Sequence, residues 1–98
     1  MTETELFNKV LDHLKIKELH PLHKALIEEC CENAINNKQN VTDLETLIYS
    51  VEVAFLTSNS LLKGTLKGAL LGANANQITL NYRDQTFIIL ENSEFVKD

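Results

Sequence analysis

Chain-breaking residues are scarce in this 98-residue sequence, which has three glycines and one proline. That scarcity excludes collagen-like, elastic and low-complexity chains, which need such residues in quantity. The two cysteines, Cys30 and Cys31, are adjacent, so they cannot staple distant segments. On a helix their side chains point about 100° apart. The expectation is two reduced, buried thiols, with no metal and no cofactor. Basic charge is also in deficit: nine Lys and Arg against fourteen Asp and Glu give a net charge of −5, which argues against generic nucleic-acid binding. No apolar run approaches the roughly 18 residues of a membrane span, and the first residues are acidic, unlike a secretory leader. A cytoplasmic location without a membrane partner is therefore expected. Low arginine with abundant Asn, Lys, Ile and Leu fits an AT-rich microbial or phage genome.

What is present, 44% hydrophobic and 23% charged residues, describes one small globular domain over 1–98, which buries roughly 65% of its unfolded surface. Thr2 and Glu5 have capping-box spacing, and Leu6, Val10 and Leu14 follow at helical intervals, predicting a first helix over about 3–17. His20-Pro21 interrupts it, and Pro21 suits the first turn of a second helix over 21–36. A polar stretch, 36–40, contains the sequon Asn40-Val41-Thr42. Thr42 and Glu45 repeat the capping-box spacing and open a third helix over about 43–57. Ser58-Asn59-Ser60 reads as a break with a new N-cap, and a fourth helix runs over about 60–72. Ile78, Leu80 and Tyr82 then alternate with polar residues. Thr86 to Leu90 is rich in β-branched and aromatic residues, so 77–82 and 86–91 form a hairpin turning at Arg83-Asp84-Gln85. The tail, 92–98, carries Phe95 and Val96 among charges, where they either dock or fray. The fold class is α+β, mostly helical, with about four helices followed by a C-terminal β-hairpin.

The three glycines are Gly64, Gly68 and Gly72, four residues apart. Inside a helix they cost roughly 2–3 kcal/mol together relative to alanine. With Ser60 at zero and about 100° per residue, they fall near 40°, 80° and 120°. Leu61, Thr65 and Leu71 lie among them or just outside. Leu62, Leu66, Ala69 and Ala73 form a separate apolar stripe, and Lys63 and Lys67 lie near 300° and 340°. Three readings compete for the bare face. A helix of the same chain packs closely there, a second copy does so, or a ligand reaches the backbone with Lys63 or Lys67 meeting a phosphate. A lone hairpin also leaves two open strand edges, which another chain could extend.

Charge divides unevenly. Residues 1–57 hold ten acidic and five basic groups, and 58–98 hold four of each. The acidic half is thus residues 1–57, and the glycine helix with the first strand is locally basic. His13, His20 and His23 cluster around the first helix junction, but helical spacing delivers two metal ligands at best. Glu28, Glu29 and Glu32 read as a solvated helix face. No nucleophile elbow or base-paired cysteine is present, so the chain is not read as an enzyme.

These features point to a small binding or regulatory protein. It acts through protein–protein contact as a homo-oligomer and as an inhibitor of a partner protein. The interface residues expected are Leu61, Gly64, Thr65, Gly68, Gly72, Phe87 and Ile89. The alternative is a small anionic, nucleotide-like ligand held by Lys63, Lys67, Tyr82 and Arg83. A second alternative is a small enzyme.

Overall fold

In the computed structural model, residues 2–37 and 43–97 are described, and they form three helices and a hairpin: α1 (Glu3–Leu14), α2 (Pro21–Asn36), α3 (Leu44–Ala73), β1 (Gln77–Tyr82) and β2 (Gln85–Leu90). The class is α+β and mostly helical, with three helices where the sequence suggests four. The polar stretch beyond Asn37, the sequon and Thr42 lie outside the described residues. The chain divides into two compact units, Met1–Thr57 and Ser58–Asp98. That boundary coincides with the change in charge balance.

In the first unit, Thr2 caps α1: its hydroxyl accepts from the Glu5 backbone N–H at 3.1 Å and donates to the Glu5 carboxylate at 3.3 Å. The helix ends at Leu14 rather than near residue 17. Lys15 takes a left-handed conformation (φ 56°), and the Lys15 and Ile16 N–H groups close on the carbonyls of Asp12 and Leu11. Such an ending satisfies carbonyls that a helix end otherwise leaves bare. Helix α2 begins at Pro21 as expected, and His20 Nδ1 accepts from the Leu22 N–H at 3.0 Å as its N-cap. Leu6 and Val10 of α1, Leu22 and Ile27 of α2 and Val51 of α3 are fully buried. Period-3.6 apolar stripes from three helices thus share one core.

Both cysteines are buried, and neither is in a disulfide. Burial, followed by the neighbouring Cys30, Glu3 and Glu28, pushes the Cys31 thiol up to about 12 from an ordinary 9.0. The native chain should therefore resist thiol alkylation at this position at pH 8 and react fully once denatured. The unfolded thiol ionises above its ordinary value while the folded one stays protonated. Its contribution is intact below pH 9 and is lost above it, at about 1.4 kcal/mol per pH unit until about pH 12. Urea titrations between pH 8 and 11 measure this fall, and Cys31→Ala should flatten it.

Helix α3 opens at Asp43, whose carboxylate accepts from the Thr46 backbone N–H (2.8 Å) and hydroxyl (2.7 Å). These bonds hold the Asp43 carboxyl below its usual range. The cap is thus Asp43 with Thr46, one residue later than the expected spacing. The helix then runs unbroken for 30 residues. The predicted break at Ser58-Asn59-Ser60 does not occur. Ser and Asn inside a helix cost only tenths of a kcal/mol each, whereas a break exposes four carbonyls and four N–H groups and requires a new nucleus.

In the second unit, β1 and β2 pair antiparallel, with Ile78 opposite Ile89, Leu80 opposite Phe87 and Tyr82 opposite Gln85. The turn is two residues, Arg83 and Asp84, rather than three. Both have positive φ (49° and 62°), the type I′ geometry that matches strand twist. Phe87 and Ile89 point inward and are buried with Leu66, Leu70, Phe95 and Val96. The tail therefore docks. Its backbone is held by Ser93 N–H to the Leu90 carbonyl (3.0 Å) and Val96 N–H to the Ser93 carbonyl (3.2 Å).

Candidate functional site

The two faces of α3 differ sharply. Leu47, Val51 and Phe55 in the first unit are buried, as are Leu66 and Leu70 in the second. Leu70 takes an inward place that the sequence pattern gives to Ala69 and Ala73, both of which are exposed. On the helical projection with Ser60 at zero, every α3 residue between about 0° and 120° is exposed. None of them is charged. The four charged residues of α3, Glu45, Glu52, Lys63 and Lys67, all project between about 280° and 340°.

Large apolar side chains stand out on this surface or at its edge. Tyr49 is 65% exposed, Val53 44%, Leu56 53%, Leu61 69% and Leu71 82%. The glycines share the same face. A Cβ built on Gly64, Gly68 or Gly72 meets nothing within 4 Å among the described residues. Close packing of another helix of the described chain onto the glycines, the first of the three readings, is therefore overturned. Their helix-propensity cost has no compensating contact among the described residues. Thr65 is exposed as well, and its hydroxyl donates to the Leu61 carbonyl at 3.1 Å.

The other expected interface residues sit elsewhere. Phe87 and Ile89 are only 8% and 1% exposed and belong to the core of the second unit. Their neighbours Ile88 (66% exposed) and Leu90 (45%) form the outward face of β2 instead. Sequence could not set this phase, because Thr86 to Leu90 is apolar on both faces.

The residues proposed for an anion do not converge as a set. Lys67 lines a shallow cavity with Leu70, Leu71, Asn74, Glu91 and Val96. The Glu91 carboxylate there opposes an anionic occupant. Tyr82 and Arg83 lie at the turn end of the hairpin, about 17 Å along β1 from Gln77. A second cavity, lined by Asn76, Gln77, Leu90, Glu91 and Asn92, again places Glu91 where an anion would bind. Lys63 lines neither cavity.

Around the helix junction, His13 Nε2 bonds the Glu52 carboxylate, and His23 stacks edge-on against Phe55 at 5.8 Å. Among the described residues no group of three or more His, Cys, Asp or Glu is placed to hold a metal ion. No described helix is long and apolar enough to cross a membrane.

Comparison with family models, with curated proteins and with solved structures finds no match for this chain.

Proposed function

We propose that this chain works by protein–protein binding, through the uncharged face of α3. It assembles with itself there and serves as a small regulatory module toward a partner protein. The observation that carries this reading is the exposed, charge-free arc of α3 bearing Val53, Leu61 and Leu71, with Tyr49 and Leu56 at its edge. A lone exposed leucine needs no explanation, but apolar residues continuous along one helix face mark an interaction surface. The bare glycines support the same reading. They destabilise the isolated helix and return that cost only when another backbone comes close. The scattered placement of Lys67 and Arg83, with Glu91 beside Lys67, favours this reading over an anionic-ligand site.

Gly64→Ala separates the two roles by sign. In the unassembled chain it should stabilise the fold by about 1 kcal/mol, since the new methyl meets open space. In the assembly it should weaken association, because the methyl holds the second backbone away. Urea denaturation at low concentration and light scattering at high concentration measure the two effects. Wild type should scatter as a species larger than 11.1 kDa. A wild type that stays monomeric at about 1 mM, a concentration that populates even weak dimers, overturns self-association.

A further inference from the structure

We infer that β2 pairs edge to edge with β2 of a second copy of this chain, antiparallel and centred on Phe87, joining two hairpins into one four-stranded sheet. This is a second contact surface beside the α3 face proposed above, and it lies wholly within the unit Ser58–Asp98.

The register of the hairpin decides which backbone groups are open. In a two-residue hairpin the residues flanking the turn, here Tyr82 and Gln85, exchange hydrogen bonds, and every second pair along the ladder does the same. The pairs Leu80 with Phe87 and Ile78 with Ile89 belong to this series. The Glu91 N–H continues it by reaching the Asn76 carbonyl at 3.0 Å. The intervening residues of β2, Thr86 and Ile88, therefore turn their N–H and C=O groups away from β1. Among the described residues no other backbone group bonds them. Leu90 points the same way, but its carbonyl already accepts from the Ser93 N–H at 3.0 Å, and the chain turns there. The open edge of β2 is thus short, with the donors and acceptors of Thr86 and Ile88.

Nothing in either strand guards an edge. Natural edges are shielded by charged side chains, proline or a bulge. Gln77–Tyr82 and Gln85–Leu90 contain no charged residue and no proline, and their pairing is unbroken from Gln77 to Tyr82, without a bulge. Side chains then separate the two edges. The edge of β1 carries Gln77, Thr79 and Asn81, all polar. The edge of β2 carries two β-branched residues, Thr86 and Ile88, with Ile88 66% exposed. β-Branched pairs across strands are the ones that stabilise a sheet.

The occupant of so short an edge must be an uncharged strand with open groups on alternate residues over the same span. A second β2 supplies this. A two-fold axis perpendicular to the sheet at Phe87 sets Thr86 opposite Ile88 of the partner subunit, and Ile88 opposite Thr86 of the partner subunit. Each of these pairs exchanges two hydrogen bonds, so every open group of Thr86 and Ile88 in both copies is satisfied. Centring the pair one residue later would call on the Leu90 carbonyl, which Ser93 already occupies. Phe87 and Ile89 keep their side chains in the core, because the axis leaves both inward faces on the same side of the sheet. Charge does not oppose the contact: residues 58–98 hold four acidic and four basic groups, whereas the acidic part of the chain would repel its own copy.

Amide exchange followed by NMR reads this edge directly in the wild type. The Thr86 and Ile88 amides should slow about tenfold between about 10 μM and about 1 mM chain, while Thr79 and Asn81 on the β1 edge stay fast. Proline tests the same asymmetry, since it is tolerated where the N–H faces away from the ladder. Ile88→Pro should weaken association at least about tenfold, and Thr79→Pro should leave it unchanged, with circular dichroism reporting that both variants fold. Where Ile88→Pro does not fold, Ile88→Lys keeps the backbone and blocks the edge by charge. Fast exchange at Thr86 and Ile88 in a chain that light scattering shows to be associated overturns the edge pairing and leaves the α3 contact standing. The same result would reserve the edge for a strand of another protein. Slowing at Thr79 and Asn81 instead overturns the choice of β2. A wild type monomeric at about 1 mM overturns both the pairing and self-association.

Discussion

Asn59→Pro should cost about 3 kcal/mol or more, the penalty of proline inside a helix. In a chain of this length that lowers the melting temperature by roughly 12–20 °C. Asn59 lies midway along the 30-residue α3. Proline there removes the N–H that an α-helix bonds to the Phe55 carbonyl, and its ring strikes that same carbonyl. Phe55 is part of the first unit's core and stacks on His23, so the distortion reaches buried contacts. Were 58–60 a break between two helices, residue 59 would precede the second helix, and proline would be tolerated. A urea midpoint shift worth less than about 1 kcal/mol would show that α3 is two helices in solution.

Ser58-Asn59-Ser60 also shows where sequence reading met its limit. Cap-type residues signal a helix start because their side chains compete for backbone groups, but the competition is weak. Neither proline nor glycine stands at these positions, so continuity wins. Where the local signal was strong, sequence was enough. Pro21 fixed the start of α2 at the residue, and Thr2 with Glu5 fixed α1. The alternation Ile78, Leu80, Tyr82 located β1. The end of α1 was not legible, because Lys15 adopts a left-handed conformation that favours glycine or asparagine. The phase of β2 was not legible either, since a run of apolar residues carries no inside and outside until the core claims Phe87 and Ile89. The glycine face was legible as a surface able to accept a close backbone. Whose backbone was not legible, because that depends on what the rest of the chain leaves uncovered. Among the described residues Gly64, Gly68 and Gly72 remain bare, so no described helix packs closely onto them.

Leu56→Glu should weaken self-association about tenfold while leaving the folded chain nearly as stable as the wild type. Leu56 is 53% exposed, so a carboxylate there remains hydrated in the monomer, and surface substitutions of this kind shift stability by about 0.5 kcal/mol. Only that exposed half can be newly buried by a second copy. Of the roughly 1.5–3 kcal/mol for a fully buried leucine, about half is therefore lost from each chain, and a desolvated carboxylate adds to the loss. The two chains together lose at least about 1.4 kcal/mol, or tenfold. Leu71→Glu is the informative contrast. At 82% Leu71 is the most exposed large apolar residue of α3, so it has more surface left to bury, and its loss should weaken association further where the contact reaches the C-terminal end of the helix. Sedimentation equilibrium on both variants measures the two effects. Association unchanged in both would mean that the uncharged face of α3 is not the surface on which copies of this chain meet.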